Sequence, residues 1–385
     1  MRFDDNYKFY VPIKFYSGYG RFSDLGKLSG EVGRKFLLVT GKSAMKKMGF
    51  TDKAVKMLRE NGKEVVLFDQ IDPNPTTDMV ADGAALSVKE GCDAVIGLGG
   101  GSPMDAAKAI AVVAGNGGNI WDYRQELDTS KTLPIIAIPT TAGSGTDGDR
   151  YFVVTNKDIN SKKGFATDYT YPSISILDPE LTIKLPEQVT KDTAMDALGH
   201  SFEAFVSCGN VNAMNNLVSL NAIWLIFENL PRAVKNGKDK QARSSLMLAA
   251  TMGGIAINHG GVGSPHGFSM AMGGMYNITH GQGIGIILPY AIEKAMDGIT
   301  DKLGFAARFL GLSNSRDDTE NSKVIVEKLH KFADDLGFPR KLSQIGIKKD
   351  NINDILKSCE NDDDIDNDPG SYTPEETRKF LEKII

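Results

Sequence analysis

AVIGLGGGSPMDAAKAIAVVAG, residues 94–115, decides the fold. The apolar run 94–99 is too short for a buried helix and ends in glycines, so it reads as a strand. Three glycines turn the chain, and small and apolar residues from Ser102 onward then carry a helical pattern. Glycine lets backbone approach a ligand closely, and the amides entering a helix hold an anion with the help of its dipole. The run lacks both the GxGxxG spacing and the Lys-Ser end of a P-loop, so alone it is a generic glycine turn. Its place at the carboxyl end of a strand in an α/β sheet makes it a candidate phosphate cradle.

Working outward, FLLVT (36–40), EVVLFD (64–69), PIIAIP (134–139), YFVVTN (151–156) and SISILD (173–178) read as further strands. SAMKKMGFTDKAVKMLREN and TTDMVADGAALSVKEG lie between the early ones, with apolar residues at helical spacing. Strand–helix repetition of this kind predicts a parallel sheet covered by helices. An extended segment, YVPIKFYSG (10–18), precedes it. PTTAGSGTD (139–147) leaves another strand with two threonine hydroxyls, and the two loops together would make a crevice long enough for a dinucleotide. After Leu185-Pro186 the strand patterns nearly vanish. Helical patterns follow at 190–207, 212–236, 239–257, 263–296, 301–312 and 321–336. The expected division is an α/β dinucleotide-binding domain, 1–186, and an all-helical domain, 187–385.

The chain has 385 residues, 41% hydrophobic and 24% charged, with net charge −5, the composition of an ordinary globular protein. Without a basic run it is not expected to bind nucleic acid. Lacking an apolar stretch of about 20 residues, it is not expected to span a membrane. MRFDDNYKFYVPIKFY has no apolar core and does not read as a signal peptide. Cys92, Cys208 and Cys359 form no CxxC pair, which suggests a reduced, cytoplasmic setting. The acidic run ENDDDIDNDPG (360–370) has carboxylates at calcium-loop spacing. Pro369 stands where such a loop needs glycine, so a solvated acidic turn is the expectation.

Four residues carry metal chemistry. In KDTAMDALGHSFEAFVS, Asp196 and His200 are four apart and share a helix face. His266 and His280 follow in SPHGFSMAMGGMYNITHG. Three of the chain's five histidines fall in these two segments. One carboxylate and three imidazoles suit Fe²⁺ or Zn²⁺. Taken singly, a capping aspartate and core histidines would explain them as well.

The segments IDPNPT (71–76), GGGSPMDAAK (99–108), PTTAGSGTD, ILDPELTIKLP (176–186), AMDALGHSFEAFVS (194–207) and PHGFSMAMGGMYNITHG (265–281) stand in an order that resembles the iron-containing alcohol dehydrogenases over nearly the whole chain. The resemblance implies an N-terminal dinucleotide-binding domain, a helical metal-binding domain of the dehydroquinate synthase-like kind, and a homo-oligomer. The implied reaction is hydride transfer between NAD(P)(H) and a small alcohol or aldehyde. Asp196, His200, His266 and His280 would hold the metal and be the catalytic centre. Gly99, Gly100, Gly101 and Ser102 would take the pyrophosphate. Asn74, Asp105, Thr140, Thr141, Lys163, Leu181 and Thr182 match other cofactor-contacting positions. The related alternatives are a polyol dehydrogenase or a dehydroquinate synthase-type lyase. A lyase would need a basic pocket for a phosphorylated acid, and no Lys/Arg cluster accompanies the metal segments.

Three positions qualify the resemblance. Gly41 stands at the end of FLLVT, where a carboxylate would bind the adenosine ribose and repel a 2′-phosphate. Its absence, with Lys42 and Ser43 next to it, predicts NADP(H) in preference to NAD(H). Met270 occupies the place, four residues after His266, where many members have a further histidine. Methionine carries no proton, so the proton is expected to leave through water or a ribose hydroxyl, with His259 in a local structural role. In GDRYF (148–152), Asp149 and Arg150 are expected to pair with each other at the surface, the alternative being that one of them reaches a polar substrate.

Overall fold

The computed structural model describes residues 6–124, 128–159, 161–209, 212–276, 278–360 and 362–385. Asn277 of the 263–296 pattern, Asn361 of the acidic run and the first five residues lie outside that description. The chain forms two compact units, Tyr10–Leu185 and Met1–Phe9 with Pro186–Ile385. Helices of seven residues or more are labelled below.

In the first unit the elements are β1 (Lys14–Ser17), β2 (Lys35–Gly41), α1 (Phe50–Glu60), β3 (Glu64–Ile71), α2 (Thr77–Glu90), β4 (Ala94–Gly99), α3 (Gly101–Asn116), β5 (Ile135–Pro139), β6 (Tyr151–Asn156), β7 (Ser161–Ala166) and β8 (Ile174–Leu177). Six strands make one sheet in the order β1-β8-β5-β4-β2-β3, with every pairing parallel. Its central strands are buried on both faces, which is why their sequences run apolar without alternation. Phe36, Leu38, Ile96 and Leu98 fill one face, and Leu37, Val39 and Val95 fill the other.

The extended segment at 10–18 contributes β1, an edge strand parallel to β8. YFVVTN is β6, but it leaves the sheet and pairs antiparallel with β7 as a separate hairpin. β7, SKKGFA, has little apolar character and no strand signal.

Chain order sets the position of the ligand crevice. The chain goes from β2 to β3 on one side and then returns to β4 on the other. The carboxyl ends of β2 and β4 therefore flank a topological switch point, where open α/β sheets bind ligands. Gly97 lets α3 lie close on β4, since a Cβ there would come 2.9 Å from Met104 Cα.

In the second unit the helices are α4 (Glu187–Val206), α5 (Ala213–Lys235), α6 (Lys240–Gly260), α7 (Ser264–Tyr276), α8 (His280–Ala295), α9 (Thr300–Phe309), α10 (Asp318–Asp335), α11 (Ile352–Ser358) and α12 (Pro374–Ile384). α4 is the central helix, packed against α5, α6 and α8. The 263–296 pattern is two helices rather than one. The break leaves His280 as the first residue of α8.

Glycines govern the approach of these helices. A Cβ at Gly281 would lie 1.9 Å from Asp192 O, one at Gly199 2.7 Å from Ile284 Cγ2, and one at Gly283 2.5 Å from Ser269 Oγ. Only hydrogen at those positions lets α8 rest on α4 and α7 at this distance. Phe268, Met272, Ile286, Ile287, Leu381 and Ile384 form a core shared by α7, α8 and the C-terminal helix.

Candidate metal centre and dinucleotide loops

Asp196 and His200 stand one turn apart on α4. His266 is in the first turn of α7, and His280 opens α8. All three Nε2 atoms face the same oxygen, Asp196 Oδ1, at 3.9 Å for His200, 3.4 Å for His266 and 3.4 Å for His280. The rings of His200 and His266 stack with centroids 4.5 Å apart, and that of His280 meets His266 edge-on at 5.0 Å. Asp196, His200 and His266 are buried and bring one donor atom each within 4.8 Å of the others. The His280 side chain is 33% exposed, which leaves this side of the group open to a small molecule.

The donor set fits a divalent cation. Asp196 Oδ1 and His266 Nε2 are buried and make no hydrogen bond. Buried polar atoms left in this way are costly unless something of opposite charge lies among them. Two of the imidazoles have their other nitrogen committed. His266 Nδ1 is 2.7 Å from Glu203 Oε1, and His280 Nδ1 is 2.9 Å from Ser269 Oγ. Ser269 Oγ also donates to His280 O, so it accepts from His280 Nδ1–H and leaves Nε2 with its lone pair.

The field has the same sense. Burial raises the Asp196 carboxyl, but the three imidazoles outweigh it and hold the group well below the usual range. Burial lowers His266, yet Glu203 and Asp196 on either side push it up to about 10. The carboxylates thus favour positive charge at this place, whether carried by the rings or by an ion.

In the α/β unit, Gly99, Gly100, Gly101 and Ser102 turn from β4 into α3 at the switch point. Gly99 has φ of 152°. No side chain caps α3, so its first amides remain available to an anion. Cβ atoms at Gly100 and Gly101 would meet Thr141 at 3.5 Å and Ser144 at 3.0 Å, so PTTAGSGTD lines the same cradle. Thr140 N bonds Gly99 O at 2.8 Å. Asn74, with φ of 60°, donates its amide to Ser102 Oγ at 3.3 Å.

The other residues expected at the cofactor have their own partners in the fold. Lys163 pairs across the hairpin with buried Val154, on the face of Phe152 and Phe165. It is Lys162, on the opposite face, whose Nζ reaches Asn74 Oδ1 at 2.8 Å. Strand alternation identifies Lys162, but only once β7 is known to be a strand. Asp105 Oδ2 accepts from Val153 N at 3.1 Å and so ties α3 to β6. Leu181 is buried in the core, and Thr182 Oγ1 donates to Pro179 O.

Asp149 and Arg150 do not pair with each other. Asp149 is buried against Lys108 Nζ at 2.8 Å, and Arg150 binds Asp168 at 2.6 Å. The two neighbours have separate partners, which the charge pattern alone does not reveal. Gly41 ends β2 beside Ile71, and the following Lys42 bonds Asp72 Oδ2 at 2.6 Å.

A parallel sheet with glycine loops at its switch point, and a helical unit that gathers one aspartate and three histidines, are the features of a metal-dependent, nucleotide-linked oxidoreductase. The family profile for the iron-containing alcohol dehydrogenases matches residues 12–179, and that for the family's C-terminal part matches 190–385. An NAD-dependent methanol dehydrogenase of Bacillus methanolicus is 31% identical over 382 residues, 98% of this chain and 99% of that one. A 1,3-propanediol dehydrogenase of Citrobacter freundii is 33% identical, covering 89% of each. Among solved structures, a 1,3-propanediol oxidoreductase superposes with a TM-score of 0.93 at 30% identity, covering 100% of both chains. The chain belongs to the iron-containing alcohol dehydrogenase family and is a metal-dependent alcohol dehydrogenase.

Proposed function

We propose that this enzyme interconverts small primary alcohols and aldehydes with NADP(H) in preference to NAD(H), using one Fe²⁺ or Zn²⁺ held by Asp196, His200, His266 and His280. The observation that carries the reading is the convergence of three imidazole nitrogens on the buried Asp196 Oδ1, which has no hydrogen bond of its own. Bound there, the ion would supply Lewis acidity to an alcohol or carbonyl oxygen, while the nicotinamide gives or takes the hydride.

The chain's own residues do the rest. Asp196 contributes the one negative charge of the donor set, and Ser269 fixes the His280 ring. Gly99–Ser102 and the first amides of α3 take the pyrophosphate, with Thr140, Thr141, Asn74 and Lys162 around it. Met270 holds no proton, so the alcohol's proton passes to water or a ribose hydroxyl.

The NADP(H) preference rests on Gly41, which places no carboxylate against a 2′-phosphate. Lys42 pairs with Asp72, but both side chains are roughly half exposed. An exposed pair of this kind contributes about 0–1 kcal/mol, so a phosphate can draw Lys42 away. A cytoplasmic homo-oligomer is part of the proposal. No disulfide joins the cysteines, and no described helix is long and apolar enough to cross a membrane.

Metal analysis alongside kcat/KM for short aldehydes with NADPH and NADH is the test. We expect one ion per chain and a higher value with NADPH, and Gly41→Asp should turn the ratio toward NADH. A wild-type preference for NADH would refute the cofactor choice, and full turnover in metal-free protein would refute the mechanism.

A further inference from the structure

Glu203 is the most completely buried acid near the metal centre, with 2% of its side chain exposed. It lies seven residues after Asp196 and three after His200, so the three project from one face of α4. Among the described residues no lysine or arginine pairs with it. Both of its oxygens go instead to the start of α7. Oε1 is 2.7 Å from His266 Nδ1, and Oε2 accepts from Gly263 N at 2.6 Å and His266 N at 3.4 Å.

A carboxylate at this distance accepts the Nδ1 hydrogen, so it is Nε2, beside Asp196 Oδ1, that would give up its proton and offer a lone pair to an ion. The backbone on which this depends is itself held. Asp368 Oδ2 accepts from Ser264 N at 3.0 Å and Ser264 Oγ at 2.7 Å, and Asn367 Nδ2 donates to Gly260 O and Val262 O. Asn367 and Asp368, at the end of the acidic run, are thus a brace for the loop that presents Gly263 to Glu203 and not part of a solvated turn.

We propose that Glu203 is the positioning residue of the metal centre. It fixes the tautomer and ring plane of His266, and its second oxygen locks α7 to α4 at the angle the ligand set needs. The assignment rests on the reading of Asp196, His200, His266 and His280 as a metal site. Gln at 203 keeps the shape, but its amide must set either NH₂ against Gly263 N–H or NH₂ against His266 Nδ1–H. A residue that only fills space would tolerate that change.

The test is titration of stripped, full-length E203Q and wild type with Zn²⁺ and Co²⁺, beside an NADPH fluorescence titration. We expect zinc affinity to fall about 10- to 100-fold, the visible Co²⁺ spectrum to shift, and NADPH affinity to stay within about twofold. Wild-type zinc affinity and an unchanged cobalt spectrum in E203Q would overturn the assignment while leaving the metal site intact. A wild-type protein that binds neither ion would remove the metal reading and the assignment with it. If E203Q does not fold, nitrogen-15 histidine NMR on zinc-loaded wild type decides, with His266 identified by its absence in H266N. A proton on Nδ1 in slow exchange is expected, and a proton on Nε2 would overturn the proposal.

Discussion

At the scale of single residues, chemistry here depends on which atom of a side chain is already engaged. His259 was the one histidine near the metal segments with an open role as a proton carrier. Its ring stacks on Phe9 with centroids 4.4 Å apart, and its Nδ1 lies 3.3 Å from Ile255 O. His259→Ala should therefore cost roughly 0.5–1.5 kcal/mol of stability and leave the shape of the kcat–pH profile unchanged. Loss of a titrating limb at full metal content would put the proton route through this ring. Asp105 gives a second test. Burial raises it to about 6, with Lys108 and the Val153 amide pulling the other way. Because its folded pKa lies above the unfolded value of 3.8, its contribution is fully present below about pH 4 and is lost as pH rises to about 6. Asp105→Asn, which keeps an acceptor for Val153 N, should flatten that part of the stability curve by at most about 3 kcal/mol. An unchanged slope in thermal melts from pH 4 to 7 would count against it. The grouping of Asp196, His200 and His266 was legible because histidine is scarce and the Asp-x-x-x-His spacing is helical. The contact of Lys162 with Asn74 was not, because the choice between neighbouring lysines depends on the parity of a strand whose own residues carry no strand signal.

At the scale of elements, the four candidate ligands are brought together by how closely helices approach. α4 would carry Asp196 and His200 on one face in isolation, but His280 arrives only because α8 starts against α4 at Asp192. Gly281 permits this contact, and Thr279 Oγ1 reinforces it with a 3.1 Å bond to Asp192 Oδ2. Gly281→Ala would set a methyl 1.9 Å from a backbone oxygen that cannot swing aside. Overpacking of this kind costs about 1–3 kcal/mol, and the relief available is a shift of α8 that carries His280 away from Asp196. The expected result is a lowered melting temperature together with weaker zinc binding, read by calorimetry and metal titration. Normal zinc affinity in a destabilised G281A would separate helix packing from ligand placement and refute the link. The glycines in PHGFSMAMGGMYNITHG were visible in sequence, but a helical period cannot distinguish a glycine that breaks a helix from one that seats it. That is why the 263–296 pattern does not show the break at which α7 ends and α8 starts with His280.

At the scale of the whole molecule, the alternation of strands and helices up to Leu185 and its replacement by helical patterns afterwards made two kinds of architecture legible. Buried strands need apolar runs, and helices of a packed bundle need three-to-four spacing. What sequence did not reveal was that β6 and β7 form a hairpin outside the main sheet, since YFVVTN has the composition of a central strand. The two units also divide the ligands: the dinucleotide loops belong to Tyr10–Leu185, and all four proposed metal ligands belong to the helical unit. A ligand stabilises the parts that form its site by an amount set by saturation, about 2.7 kcal/mol at a concentration 100 times Kd. Removal of the ion should therefore loosen α4, α7 and α8, where Asp196 and the imidazoles lose their common partner, and leave β2, β4 and β5 as they were. Hydrogen exchange on the intact chain can read this element by element. With chelator, amides of α4 and the starts of α7 and α8 should exchange about 10- to 100-fold faster, equivalent to about 1.4–2.7 kcal/mol of lost local stability. Saturating NADPH should instead protect the Gly99–Ser102 turn and the first turn of α3, with or without metal. Chelation that loosens the parallel sheet as much as the helices would mean that the ion supports the whole chain and not its own unit. Chelation that changes nothing in α4 would mean that the four residues hold no ion.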